Sequence, residues 1–391
     1  MRRRVFYIPG YDPIPPRRYR ELYRREGAKQ AQISGYELTF PARDDRTGFG
    51  WGAATRLPEG DAHAEFEVLV WADLVQGSMG RSIPATYAQL VRTAWAYIGS
   101  GALFRLMRLR RAPVIAALYP IAVLLVQALV AVLAGWTAGW LTARLLPWAA
   151  LPVGLVVAWA ALTLFRRLDN RIFAYYLMHD YAFTAQHNGA YPAALEPRIA
   201  AFTARIRQAL ADDWDEVLLV GHSSGAYLGV SVIADLLRDG TDARRLSFLT
   251  LGHVVPMASF LPQAHRLRAD LELLAAQDAP FWLDVSAPGD ACCFGLCDPV
   301  AVSRDRPAPQ KQPMVISAAF TQTLSPQAQK ALEWRWFRKH FQYLCAFDRP
   351  RDYDYFAITA GPLTLGQRFA GRPPSPGRIA RPVNRFPKAP Q

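Results

Sequence analysis

Apolar residues fall along this chain in three patterns, and each predicts a different kind of element. The first is a short run that stops at a glycine or proline: Val5 to Ile8 before Pro9-Gly10, Val217 to Val220 before Gly221, Leu246 to Leu251 before Gly252, and Phe281 to Ala287 before Pro288-Gly289. Pro313 to Ala319 is a fifth run of similar length. Runs of this kind read as buried strands. Strand-like text also covers 36–40 and 65–71, on either side of an interval rich in Gly, Asp and Arg. The second pattern places apolar residues three and four apart among polar ones. It predicts helices over 16–35, 86–109, 172–185, 197–210, 226–237, 262–276 and 326–339. Alternating strands and helices predict an α/β fold, a doubly wound and mostly parallel sheet with helices on both faces.

The third pattern is a long uncharged stretch. Val114 to Ala143 carries no charged side chain, and after Arg144 neither does Leu145 to Phe165. A bilayer needs about 20 apolar residues per helix. Two such helices fit, at 114–136 and 146–165, with a tight turn between them. Trp136, Trp140 and Trp148 gather near that turn, as an interfacial belt would. Arg105, Arg108, Arg110 and Arg111 precede the pair, and Arg166, Arg167 and Arg171 follow it. The positive-inside rule then puts both flanks in the cytoplasm and the turn outside. The expectation is an inserted transmembrane hairpin over 113–166, multi-pass in the inner (plasma) membrane. It divides one cytoplasmic domain into 1–112 and 167–360.

Composition narrows the partners. The 391 residues are 51% hydrophobic, with a formal net charge of +13. A basic balance suits nucleic acid or an anionic membrane face. The concentration of apolar residues in one place favours anionic lipid, and no nucleic acid is expected. Four cysteines stand at 292, 293, 297 and 345 without a C-x-x-C pair, which suits reduced thiols in a cytoplasmic domain. The chain opens on a strand rather than a secretory signal. Cys292-Cys293 with Cys297 lacks zinc spacing, and His179-Asp180 with His187 lacks a further ligand, so neither metal nor cofactor is expected. Residues 366–391 hold six Arg/Lys, no acid and many prolines. From 361 onward the chain is expected to be a mobile basic tail that builds no core.

The candidate chemistry lies at Gly221-His222-Ser223-Ser224-Gly225, between a strand run and a helical run. That is the setting of a G-x-S-x-G nucleophile elbow. Gly221 and Gly225 permit a sharp turn that lifts Ser223 above the end of the sheet. On these residues the chain resembles the α/β-hydrolase superfamily of serine esterases and lipases, over 1–112 and about 172–360. The superfamily's triad follows the order serine, acid, histidine. His340 is the only histidine after Asp290, since His253 and His265 come earlier. The resemblance therefore implies His340 as general base and Asp290, just past a strand end, as the acid. Asp298 before Pro299 is the rival acid. Asp284, inside the strand, is expected to face a structural partner, and His253 to pack or hydrogen-bond. The resemblance also implies an oxyanion hole from the N–H of Gly10 or Tyr11 together with that of Ser224. One departure is the helix placed between the last strand and His340, where the superfamily's histidine follows closely.

The function so implied is a membrane-anchored serine hydrolase. It would cleave an ester or thioester of a small molecule or lipid through an acyl-Ser223 intermediate. The alternatives are a non-catalytic membrane scaffold that keeps the fold, and an acyltransferase.

Overall fold

Strands form at each expected apolar run, and a hairpin forms where no run is visible. The computed structural model describes the chain except for residues 46, 81 and 388–391. β1 (Arg2–Ile8) starts ahead of its apolar run because Arg3 and Arg4 are buried with partners. Arg3 Nε lies 2.5 Å from Glu216, and Arg4 reaches Glu65 at 2.7 Å and Glu67 at 2.6 Å. Paired in this way, the two guanidiniums can leave water.

α1 (Arg17–Ser34) ends at Gly35, whose φ of 73° lies in the left-handed region that favours glycine. β2 (Glu37–Thr39), β3 (Phe49–Leu57) and β4 (Gly60–Val68) then form an antiparallel ribbon. β3 falls in the Gly/Asp/Arg-rich interval and hides its strand character behind Gly50 and Gly52. A Cβ on Gly50 would stand 1.8 Å from the Phe66 carbonyl oxygen, so the close approach demands glycine.

Next come α2 (Ala72–Ser78), α3 (Ile83–Gly99) and α4 (Ala102–Leu109). The single helix expected over 86–109 is two, broken at Gly101 with φ 68°. α5 (Arg111–Ala143), α6 (Ala150–Arg167), α7 (Asp169–Ile172), α8 (Ala174–Ala185) and α9 (Leu195–Ala211) lead to β5 (Glu216–His222). α10 (Gly225–Arg238), β6 (Leu246–Leu251), α11 (Val255–Ser259), α12 (His265–Ala276), β7 (Phe281–Ser286) and β8 (Met314–Ser317) follow. α13 (Phe320–Thr323), α14 (Pro326–Ala331), α15 (Trp336–His340), α16 (Tyr355–Ala360) and α17 (Leu365–Arg368) close the chain.

Among the described residues the eight strands form one sheet in the order β2-β3-β4-β1-β5-β6-β7-β8. The strands from β4 through β8 are mutually parallel, and β3 runs against both its neighbours. The fold is therefore α/β with a mixed, mostly parallel sheet. One face packs under α9, α10 and α12, through Ile206, Leu228 and Leu271, and the other under α1 and α16, through Tyr23 and Phe356. From β1 the chain builds outward to β4 on one side and to β5 on the other. That reversal is a topological switch point, and in parallel sheets the crevice above the carboxyl ends of such strands is where ligands bind.

α5 and α6 are both long and apolar enough to cross a membrane, with mean hydropathy 2.4 and 2.0. They pack through glycines. A Cβ on Gly135 would lie 2.5 Å from the Gly154 carbonyl oxygen, and one on Gly139 would lie 2.9 Å from that of Ala150. α6 buries no residue. The start of α5 differs from the expected free span, because it belongs to the body: Leu124 packs with Leu90, Tyr175 and Met178, and the Tyr119 hydroxyl donates to the Ile172 carbonyl.

Two expectations near the C-terminus need correction. The helix predicted over 326–339 is interrupted, with Trp334 at φ 60° between α14 and α15, so His340 is the last residue of a five-residue helix. The basic tail also lies on the body rather than free of it. Its start forms α17 and buries Leu365 and Phe369 in the core; farther on Ile379 bridges to Cys297, and the buried Asn384 amide donates to the carbonyls of Ser259 and Ser303. Residues 388–391 of that tail lie outside the described residues.

Candidate active site

Ser223 follows β5 directly and has φ 56°, in the left-handed region that a residue with a side chain rarely adopts. Two close approaches hold it there. Its N–H donates to the Leu251 carbonyl at 3.0 Å, at the end of β6. Gly225 sits so near β1 that a Cβ would stand 2.2 Å from the Ile8 carbonyl oxygen. Strain of this kind persists where the surroundings over-determine it, and it clusters at functional sites.

The loop after β1 lies against this turn. A Cβ on Gly10 would be 2.9 Å from Ser223 Cβ and 3.4 Å from its Oγ, so glycine leaves the hydroxyl room. Among the described residues the N–H groups of Tyr11 and Ser224 donate to no carbonyl in the turns and loops. Tyr11 is fixed from outside: its hydroxyl meets Ser78 Oγ at 2.6 Å, and its carbonyl accepts a short hydrogen bond from the Tyr176 hydroxyl of α8.

From the far end of the sequence α15 brings His340, which is buried. Its Nδ1 lies 2.7 Å from Asp290 Oδ2, so the acid that meets the histidine is Asp290. Asp298 instead accepts from the N–H groups of Val300 and Ala301 and from Gln310. Asp284 accepts from Thr250 at 2.6 Å, and His253 Nε2 donates to the Cys297 carbonyl at 2.9 Å, which ties down the loop that carries Asp290. Burial would raise the Asp290 carboxyl, but the charge and hydrogen bond of His340, with the Cys292 N–H, hold it below its ordinary value. It is thus an ionised acceptor that fixes the proton on His340 Nδ1. That leaves His340 Nε2 as the basic nitrogen, and it is buried without a hydrogen-bond partner. No hydrogen bond joins it to Ser223 Oγ in this structure. Such bonds are commonly long without substrate and tighten when substrate binds.

Two residues that the sequence did not single out complete the setting. Tyr343 donates its hydroxyl to Asp290 Oδ2 at 3.1 Å and accepts from the Ala287 N–H at 2.9 Å. Its place three residues after His340 is a signal only once His340 is suspected. His222, inside the motif itself, stacks on His340 with ring centroids 4.8 Å apart, and its Nε2 meets the His340 carbonyl at 3.1 Å. Burial, aided by the charge of His340, pulls its pKa down to about 3, so it is neutral and donates from Nε2.

Asp290, Cys292 and His340 each offer a ligand atom within 4.8 Å of the others, a span that would suit a metal. Their chemistry suits a hydrogen-bonded acid–base pair better. Asp290 and His340 already share a proton through Nδ1, and burial pushes the Cys292 thiol far above its usual range, away from the thiolate a metal needs. An open cleft of about 400 Å³ lined by Met1, Glu37, Arg56 and His63 lies at the other end of β1, away from this chemistry.

No protein family, curated protein or solved structure matches this chain.

Proposed function

We propose that this protein is a membrane-anchored serine hydrolase of the α/β-hydrolase type, which cleaves an ester or thioester through an acyl-Ser223 intermediate. The observation that carries the reading is the conjunction at the switch point. A serine strained to φ 56° lies against a glycine-lined loop, and its neighbour His222 stacks on a histidine whose Nδ1 is held by a buried aspartate and whose Nε2 is unengaged. A structural serine needs none of these neighbours.

In this mechanism Ser223 Oγ attacks the acyl carbonyl carbon and His340 Nε2 takes its proton. Negative charge developing on the carbonyl oxygen meets the N–H groups of Ser224 and of Gly10 or Tyr11, at the start of α10. Collapse of the tetrahedral species breaks the bond to the leaving alcohol or thiol, which receives the proton from His340. Water then repeats the sequence, releasing the acid and freeing Ser223. Asp290 fixes the imidazole tautomer throughout.

The anchor is the α5–α6 hairpin. Beyond the base that packs on α8, about 20 residues of each helix carry exposed leucines, valines and tryptophans, enough for about 30 Å of hydrocarbon. Arginines flank both ends of the pair, which favours a cytoplasmic catalytic body. Lipid esters delivered from the bilayer are the substrates this placement suits.

The deciding experiment is labelling of membrane fractions with a fluorophosphonate probe. Wild type should label, and Ser223→Ala and His340→Ala should not, while both remain folded and membrane-bound. A folded wild type that takes no label would sink the hydrolase reading and leave a scaffold.

A further inference from the structure

The side chain of His222 stands where an apolar one is expected. Alternate residues of β5 face opposite sides of the sheet, and His222 follows Leu218 and Val220 on the face that carries Tyr343 and Leu344. It is 1% exposed, and a polar group so placed is costly unless it finds a partner. The partner is the main-chain carbonyl of His340, 3.1 Å from Nε2. The same ring lies over the His340 imidazole, with centroids 4.8 Å apart and planes tilted by 32°, and it meets the Phe341 ring edge-on at 5.1 Å.

Other elements close the remaining sides of the imidazole. Asp290 holds Nδ1 at 2.7 Å, the Tyr343 ring stands edge-on at 6.4 Å, and a Cβ on Gly252 would lie 3.2 Å from Cε1. Asp290 decides which nitrogen carries the proton, but a single hydrogen bond leaves the plane of the ring free to turn about it. α15 does not fix that plane either, since in five residues few carbonyls find partners within the helix. His222 supplies both constraints. Its N–H grips the main chain at the end of α15, and its ring sets the plane of the imidazole.

We propose that His222 is a positioning residue that holds the His340 imidazole in register with Ser223. His222 and Ser223 are consecutive, so the turn that aims the nucleophile also carries the group that aims the base. Held neutral by burial, His222 does not repel the imidazolium that forms when His340 takes the serine proton. The inference rests on the hydrolase reading.

The test uses the full chain in detergent micelles with the fluorophosphonate probe. His222→Phe keeps a ring and loses the donor, whereas His222→Gln carries an amide N–H to the reach of Nε2. The labelling rate at saturating probe should fall about 10- to 100-fold in His222→Phe, as a small misplacement of a catalytic group does, while the half-saturating probe concentration stays unchanged. His222→Gln should restore most of the rate. A merely structural role would not separate the two constants in this way. Labelling of His222→Phe at the wild-type rate overturns the inference and leaves the hydrolase reading intact. So does a His222→Gln variant as slow as His222→Phe. His222→Leu gives the same comparison should the phenylalanine variant not fold. If the wild type takes no label, carbethoxylation of His340 by diethylpyrocarbonate, read by mass spectrometry, decides the matter. A faster reaction in His222→Phe, with His222→Gln like wild type, sustains the positioning, and equal rates in all three end it.

Discussion

Tyr343→Phe removes one oxygen atom and disturbs the acid loop at two points. The hydroxyl accepts from the Ala287 N–H at 2.9 Å and donates to Asp290 Oδ2 at 3.1 Å, with Cys293 Sγ 3.4 Å away. Ala287 and Tyr343 are both buried, so the orphaned N–H gains no water in exchange. An unsatisfied buried donor costs about 1–3 kcal/mol, and a hydrogen bond to a charged group contributes about 1.5–3 kcal/mol. The two losses share an atom and add incompletely, so about 2–5 kcal/mol is expected. Urea unfolding in micelles should show this as a lower midpoint with an unchanged slope. Asp290 keeps His340 and the Cys292 N–H, so the variant should still label with fluorophosphonate, but about 10- to 100-fold more slowly as the imidazole loses its fixed orientation. Tyr343→Phe that unfolds within about 0.5 kcal/mol of wild type, and labels at the same rate, would refute the view that this hydroxyl holds the acid loop.

Gly10→Ala places a methyl 2.9 Å from Ser223 Cβ, and fluorophosphonate labelling should fall at least about tenfold with an overpacking cost of about 1–3 kcal/mol; labelling at the wild-type rate would show that the loop after β1 does not crowd the serine. Asp284 is buried, its Oδ2 without a hydrogen bond and 3.7 Å from His253 Nε2, and burial, only partly opposed by His253 and Thr250, lifts its pKa from 3.8 to about 6. The folded state thus binds this proton more tightly than the unfolded one, so the stability it contributes is fully present below about pH 4 and lost as pH rises through 6, a swing of about 3 kcal/mol. Asp284→Asn should therefore gain on wild type in urea unfolding at pH 7 to 8 and lose that advantage near pH 4, and a gap independent of pH would contradict the assignment. Gly135→Leu drives a side chain toward the Gly154 carbonyl and should lower the thermal stability of the chain in micelles, whereas Thr137→Leu, on the exposed side of α5, should not; equal effects would mean that the glycine seam is not what joins the pair.

The strands around the candidate site are legible because each is a mostly apolar run ending in glycine or proline, and the turn at Ser223 because it needs those glycines. β3 is not, since Gly50, Gly52, Ala53 and Ala54 give little apolar signal, and the two glycines are required by close approach to β4 and to the chain at Pro41. Arg3 and Arg4 give no apolar signal, and only the tertiary placement of Glu216, Glu65 and Glu67 makes them core. The choice between Asp290 and Asp298 rested on strand-end position alone. What separates them is the direction of each carboxyl, one toward His340 and one into its own loop, and direction is not written in spacing.

The base of the apolar hairpin also reaches the candidate site. The base of α5 meets α15, with the Tyr119 ring edge-on to Trp336 at 5.8 Å. The next residue, Phe337, packs on Phe173 and Tyr176 at 5.4 and 6.0 Å. Tyr176 in turn holds the Tyr11 carbonyl in the loop beside Ser223. α15 has five residues and cannot persist through its own hydrogen bonds, so these contacts set where His340 points. The base of the apolar hairpin, α8 and the helix bearing His340 therefore form one packed wall.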